Sequence, residues 1–302
     1  MPLSEFELIE RYFARGPVAR GDVRLGVGDD AAVLAISAGH EAVAGLATVV
    51  LAGQPPARRD PRRVGHHVLA LALSRLAATG AEPAWATLSI TLPAADEAWL
   101  AGFRDGFSAL AERFGVQLVG GDTTRGAGVV TVVAHGLVPR ARALRCDGAR
   151  AGESIYVTGS LGGCALAERP GQTLRDSMPR VGAGVALRDL ASAAADIPCG
   201  LARGLTTILR ASGLGATLQA ASVPLEPALG GDPRSLGGWP GVLTSGGDLE
   251  LCFTVTPARA AQAEAACAVA GARATRVGYV ESASGLRCVG AQGERIPLED
   301  MR

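Results

Sequence analysis

The chain has 302 residues, 48% of them hydrophobic, enough for a large core and about two domains of ordinary size. Cationic and acidic side chains balance at 29 each, so no long-range field draws in a polyanion or an anionic surface, and no nucleic-acid or membrane partner is expected. Every cation is Arg, and the chain has neither Lys nor Asn, which excludes a P-loop, Schiff-base chemistry and a protein-kinase ATP lysine.

Ser4-Glu5-Phe6-Glu7 reads as a capping box that opens a helix running to about Arg15. No basic segment leads into an apolar one, and no apolar run reaches the roughly 18 residues of a membrane helix, so the cytoplasm is the expected location. Apolar stretches at 25–36 and 42–51 read as strands, and 61–79 as a helix with Pro61 in its first turn. There follow a strand at 85–92, an amphipathic helix at 95–114, and strands at 116–119 and 129–138. The Arg-rich link 139–152 is the expected boundary, giving domains 1–139 and 140–302. The second half reads as a strand at 154–158, helices near 181–194 and 201–211, and strands near 251–255 and 275–280 with a helix between. Gly230 to Gly241 reads as a Gly/Pro-rich surface loop. Six widely spaced cysteines without a CxxC pair indicate reduced thiols rather than a zinc knuckle or a disulfide framework. The alternation of strand and helix makes the chain α/β.

Two acidic, glycine-rich segments carry the chemistry. Gly26-Val27-Gly28-Asp29-Asp30-Ala31 formally fits a dinucleotide fingerprint, but two carboxylates there repel a pyrophosphate unless a divalent cation lies between. Asp29 and Asp30 therefore suggest a magnesium bridge to phosphate, against the plainer reading of a solvated Asp-rich turn. Gly120-Gly121-Asp122-Thr123-Thr124-Arg125-Gly126 reads as a loop after a short strand. Its glycines let backbone N–H groups approach a ligand, its carboxylate suits a metal, and its hydroxyls suit phosphate oxygens. The plainer reading is a polar connection between strands. Together the two segments favour a metal-phosphate site. His66 and His67 are adjacent on a helix and point to different faces, which is poor metal geometry. Arg58, Arg59, Arg62 and Arg63 form a basic run that either recruits an anion or is simply solvated, and Cys199 has no evident base partner.

The strings GVGDDAAVL (26–34), LAATGAEPAWATLSITLP (76–93), VGGDTTRG (119–126), IYVTGSLG (155–162) and SGGDLELCFTV (245–255) resemble thiamine-monophosphate kinase, in order and over nearly the whole chain. That family belongs to the aminoimidazole-ribonucleotide synthetase-like superfamily. The resemblance implies a two-domain α/β (α+β) fold, with an N-terminal domain that dimerises and a C-terminal α/β domain that closes a magnesium-rich nucleotide site. It implies ATP and Mg²⁺ as cofactors, thiamine monophosphate as the acceptor of the γ-phosphoryl group, and a homodimer. Asp30 and Asp122 match metal-binding aspartates, with Asp29 beside them, and Asp196 matches a further acid. Gly120, Gly121, Asp122 and Thr123 then face ATP, and Arg145 stands beside Cys146, which occupies the place of an ATP-binding arginine. Other departures are Thr48, Arg75 and Cys199 where the family has aspartates, and Gln54-Pro55-Pro56 where it has a substrate loop. Arg75 either stands in for a lost ion by binding phosphate or is a drifted residue on a solvated face. The lost carboxylates leave two readings open: a working kinase or related phosphotransferase, and a weakened paralogue that binds nucleotide or a partner without efficient turnover.

Overall fold

The computed structural model describes residues 5–14, 16–55, 58–169 and 176–298, so the expected cap at Ser4, the helix end at Arg15 and Pro56 of the substrate-loop counterpart lie outside the described residues. The chain divides into two compact units, Met1–Leu76 with Glu82–Ala141, and Ala77–Ala81 with Arg142–Arg302.

The first unit contains α1 (Glu5–Tyr12), β1 (Val23–Leu25), β2 (Val33–Leu34), β3 (His40–Val50), most of α2 (Pro61–Thr79), β4 (Glu82–Leu92), α3 (Glu97–Phe114), β5 (Gln117–Arg125) and β6 (Val129–Pro139). Strands β3, β6, β4 and β5 form a sheet in that order, with β4 and β5 parallel across the α3 crossover and the other pairs antiparallel. Asp96 caps α3, its Oδ1 accepting from the Ala98 and Trp99 N–H groups, and Gly115 ends the helix at φ 64°. Helices α2 and α3 approach closely, because a Cβ on Gly106 would lie 1.9 Å from the Arg62 carbonyl oxygen. Their apolar faces bury Leu69, Leu73, Leu76, Leu100, Phe103 and Phe107.

Two expectations are corrected here. The apolar stretch 25–36 is not one strand, because left-handed Gly28 (φ 109°) and the Asp29 side chain, which accepts from the Asp30 N–H, turn the chain between β1 and β2. The Gly120–Arg125 segment is strand, not loop: it continues β5 and pairs along β4, Ser89 opposite Asp122 and Thr91 opposite Thr124. Gly121 is required by that pairing, since a Cβ there would lie 1.8 Å from the Leu88 carbonyl oxygen.

The second unit contains β7 (Ser154–Thr158), α4 (Gly163–Ala167), α5 (Val181–Leu187), β8 (Ala193–Asp196), α6 (Leu201–Ser212), β9 (Gly215–Gln219), α7 (Gly238–Thr244), β10 (Leu251–Val255), α8 (Ala260–Val269), β11 (Ala274–Glu281) and β12 (Gly285–Val289). Its sheet runs β12-β9-β11-β7-β10-β8, and α6 buries Leu201, Leu205 and Ile208 against Ile155, Val157 and Cys252. On the alternate positions, Tyr156 stacks on Phe253 and donates to Glu264 of α8. The helix expected near 181–194 stops at Leu187, and Ala193–Asp196 pairs with β10 as a strand. A run of alanines has no periodicity to read, so its partner strand decides. The expected loop Gly230 to Gly241 is a 3₁₀ turn (Pro233–Leu236) followed by the start of α7, whose Val242 and Leu243 are fully buried. All six cysteines are free, three of them buried.

Candidate active site

In the first unit the sheet has one helix-covered face and one open face. Along β3, Gly45 and Ala47 are buried, whereas Leu46 and Val50 are 48% and 49% exposed. Residues opposite one another in register share a face. Thr48 pairs with Thr131, Thr131 with Ser89, and Ser89 with Asp122, so one polar row crosses the open face from edge to edge. Thr48 and Thr131 join hydroxyls at 2.9 Å, as do Thr91 and Thr124 two residues further on.

The turn carrying Asp29 and Asp30 is held beside the β5 edge. Val23, Ala32 and Leu34 of the β1–β2 hairpin pack on Trp85 and Val119. The Trp85 indole N–H donates to Asp22 at 3.0 Å, and the Arg20 N–H donates to the Gln117 side chain at 2.6 Å. Arg20 also pairs with Asp22 at 2.7 Å and holds its carboxyl below the usual carboxylate range. A Cβ on Gly26 would lie 3.9 Å from the Val119 carbonyl oxygen, which places the hairpin tip three residues before Asp122 along β5. Asp29, Asp30 and Asp122 are all exposed, as is Gly121, while Gly120 and Thr123 are half-buried.

Arg75 lies elsewhere in this unit. It is the exposed position in an otherwise buried stretch of α2, and its Cβ is 3.0 Å from where Gly45 would carry one. Gly45 is on β3, three interstrand steps of about 4.8 Å from β5. Asp122 thus stands on one edge strand of the sheet, β5, and Thr48 on the other, β3, with Arg75 of α2 close to Gly45 of β3. Among the described residues, no group of three or more His, Cys, Asp or Glu is arranged to hold a metal by itself.

In the second unit Asp196 ends β8 opposite Leu251. The segment after it adjoins the 245–250 segment: the Gly247 N–H donates to the Pro198 carbonyl at 2.9 Å and the Ile197 N–H to the Glu250 carbonyl at 3.0 Å. Cys199 is exposed between them. Cys146, half-buried, donates to the Ala194 carbonyl, and burial together with the nearby Asp196 charge pushes its thiol up. Arg145 is exposed and engaged in a two-pronged pair with Asp147 at 2.7 and 2.5 Å, so a nucleotide contact there has to displace Asp147.

A buried acidic network in this unit was not legible in the sequence. The Glu250 side chain, 3% exposed, accepts from Arg180 at 2.7 and 2.5 Å and from Thr158 at 2.6 Å, yet burial holds its pKa above the ordinary value. Asp248 accepts from the Gly162 and Cys164 N–H groups at 2.7 and 2.8 Å, and burial raises it too. These partners lie some 70 to 90 residues apart in the chain, so only the fold unites them.

Residues 28–138 match the model of the AIR synthase related protein, N-terminal domain. The thiamine-monophosphate kinase of Escherichia coli (strain K12) is 39% identical over 318 residues, covering 99% of this chain and 97% of that one. A crystal structure of thiamine-monophosphate kinase from Stenotrophomonas maltophilia K279a superposes with a TM-score of 0.85 at 36% identity, covering 98% of this chain and 99% of that chain. A more distant structure, AaThiL complexed with AMPPCP and TMP, shares the fold at a TM-score of 0.74 and 21% identity over 86% of each chain. The fold thus defines a member of the AIR synthase related class. Within it, the chain belongs to the thiamine-monophosphate kinase family.

Proposed function

We propose that this protein transfers the γ-phosphoryl group of ATP to the phosphate of thiamine monophosphate, giving thiamine diphosphate and ADP. The observation that carries the reading is family identity sustained over 99% of the chain. The exposed carboxylates of Asp29, Asp30 and Asp122 in glycine-rich segments support it. In the reaction an oxygen of the acceptor phosphate bonds to the γ-phosphorus, and the bond from that phosphorus to the bridging oxygen breaks. A phosphate monoester with a second pKa of about 6 is already largely dianionic at neutral pH, so no protein base is needed to activate it. That agrees with a site rich in carboxylates and hydroxyls. Catalysis then rests on positioning and on neutralising charge between two polyanions.

Magnesium fits the donor set. Asp29, Asp30 and Asp122 are exposed carboxylates with hard oxygen donors, and Mg²⁺ is ordinarily bound by one or two carboxylates together with substrate phosphates and water rather than by a protein-only cage. When bound, the ion would neutralise phosphate oxygens. In this reading the backbone N–H groups of Gly120 and Gly121 and the Thr123 hydroxyl contact the polyphosphate, Arg75 and Arg145 are candidate phosphate-binding guanidiniums, and Asp196 is a candidate metal-binding carboxylate.

The working form is a homodimer. Leu46 and Val50 on the open sheet face support this, because an apolar face of this kind is normally covered. Pairing two copies across that face also offers a way to bring the β3 edge of one copy to the β5 edge of the other. The purified protein incubated with ATP, magnesium and thiamine monophosphate should form thiamine diphosphate, and Asp122→Asn should lower kcat/KM by about 100-fold or more while leaving the circular dichroism spectrum unchanged. Absence of thiamine diphosphate at every magnesium concentration refutes the reading.

A further inference from the structure

We infer that Arg180 is a positioning residue for Asp196, acting through the buried Glu250 carboxylate to fix the turn at Leu249 against which Asp196 is held. The inference rests on the kinase reading for the role of Asp196 as a metal-binding carboxylate, and goes beyond it in naming a residue that no motif marks.

The turn is strained. Leu249 has φ 52°, in the left-handed region that a non-glycine residue keeps only where its surroundings over-determine it. Here a buried carboxylate pins each flank. On one side Asp248 accepts from the Gly162 and Cys164 N–H groups. On the other, Glu250 accepts both prongs of the Arg180 guanidinium and the Thr158 hydroxyl. That hydroxyl also accepts from the Leu251 N–H at 2.9 Å, so one atom ties the Glu250 side chain to the main chain that follows it. Room for the carboxylate comes from Gly159 at φ 61°, where a Cβ would lie 2.1 Å from Glu250 Oε1. Leu249 itself is fully buried, and the turn cannot relax without disturbing the packing around it. Arg180 stands at the start of α5, whose Val181, Ala183 and Leu187 are buried, so the guanidinium reaches Glu250 from a fixed base. Its planar fork sets the orientation of a carboxylate as well as its distance, which a point charge does not.

The main chain passes this constraint to Asp196. Leu251 lies opposite Asp196, the Ile197 N–H donates to the Glu250 carbonyl at 3.0 Å, and the Gly247 N–H donates to the Pro198 carbonyl at 2.9 Å. A Cβ on Gly246 would lie 2.3 Å from the Pro198 carbonyl oxygen, so the two backbones are in contact. Residues 196–198 are thus held against both ends of the Leu249 turn, and a turn that relaxes moves Asp196 with it. A misplacement of about 1 Å at a reacting site costs up to about 100-fold.

Two variants of the full chain test this. Arg180→Lys keeps the charge and removes the fork. Arg180→Met/Glu250→Gln removes the buried charge together with its partner, which abolishes the clamp without leaving an unpaired ion in the core. Each is made in the wild-type and in the Asp196→Asn background, with folding checked by circular dichroism. Calorimetry measures magnesium-dependent uptake of ATP, and an activity assay measures the magnesium concentration that gives half-maximal formation of thiamine diphosphate. With Asp196 present, both variants should raise the magnesium requirement by about tenfold in both measurements. In the Asp196→Asn background neither should add more than about twofold, since effects that act through one group are not additive. A merely structural role for Arg180 gives equal factors in the two backgrounds. That result, or an unchanged magnesium requirement in both variants, overturns the inference. Arg180-dependent uptake of magnesium and ATP without any thiamine diphosphate sinks the kinase reading and spares the positioning role. Normal turnover with a magnesium requirement indifferent to Arg180 does the reverse.

Discussion

Replacing Arg180 with Met should destabilise the protein in a strongly pH-dependent way. Arg180 makes two charge-assisted hydrogen bonds to a Glu250 side chain that is only 3% exposed, and is itself 30% exposed. Breaking a buried pair from one side costs about 3–5 kcal/mol, because the remaining charge is left without its partner. The partial exposure of Arg180 puts the expected loss near the lower bound, about 3 kcal/mol at pH 8. Glu250 can escape that penalty by taking up a proton, and burial already raises its pKa against the opposing pull of Arg180. Without the guanidinium the pKa rises further. A carboxyl whose folded pKa lies above its unfolded value of about 4.3 is best tolerated below that value, and stability falls by about 1.4 kcal/mol per pH unit until the folded pKa is passed. The loss in Arg180→Met should therefore shrink from about 3 kcal/mol at pH 8 to about 1 kcal/mol near pH 4.5–5. Urea unfolding of the wild type and variant at both pH values measures this. The double variant Arg180→Met/Glu250→Gln should recover most of the loss at pH 8, since Gln still accepts from Thr158 and carries no charge. An equal loss at both pH values would refute the argument.

Three further outcomes are expected. Gly106→Ala should cost about 2–3 kcal/mol by forcing α2 and α3 apart, since its Cβ would meet the Arg62 carbonyl oxygen at 1.9 Å; Gly120→Ala, where a Cβ meets nothing within 4 Å, should stay within about 0.5 kcal/mol in the same thermal melts. Leu46→Arg should convert a dimer to a monomer of 30.6 kDa in light scattering, and a monomeric wild type would remove the dimer proposal. Asp96→Ala should cost about 1 kcal/mol through the uncapped Ala98 and Trp99 N–H groups, read from denaturant midpoints.

Where a signal is local, the amino-acid order sufficed. Helix α2 spans Pro61–Thr79 as its apolar content and leading Pro61 predict, α3 begins and ends at its Asp96 and Gly115 caps, and β7 occupies Ser154–Thr158. Asp29, Asp30 and Asp122 are candidates on the same local ground, because they sit in glycine-rich strings whose composition points to phosphate chemistry. Tertiary pairing decided the rest. Ala193–Asp196 has no periodicity until β10 lies beside it, the short strands β9 and β12 are too brief to announce themselves, and Gly120–Arg125 carries turn composition yet is strand because β4 pairs with it. The row from Thr48 to Asp122, the separation of Arg75 from Asp122 and the burial of Glu250 beside Arg180 likewise exist only once register is set. Caps and helical periodicity are satisfied within a few residues, whereas strand register and charge burial depend on groups that are distant in the chain.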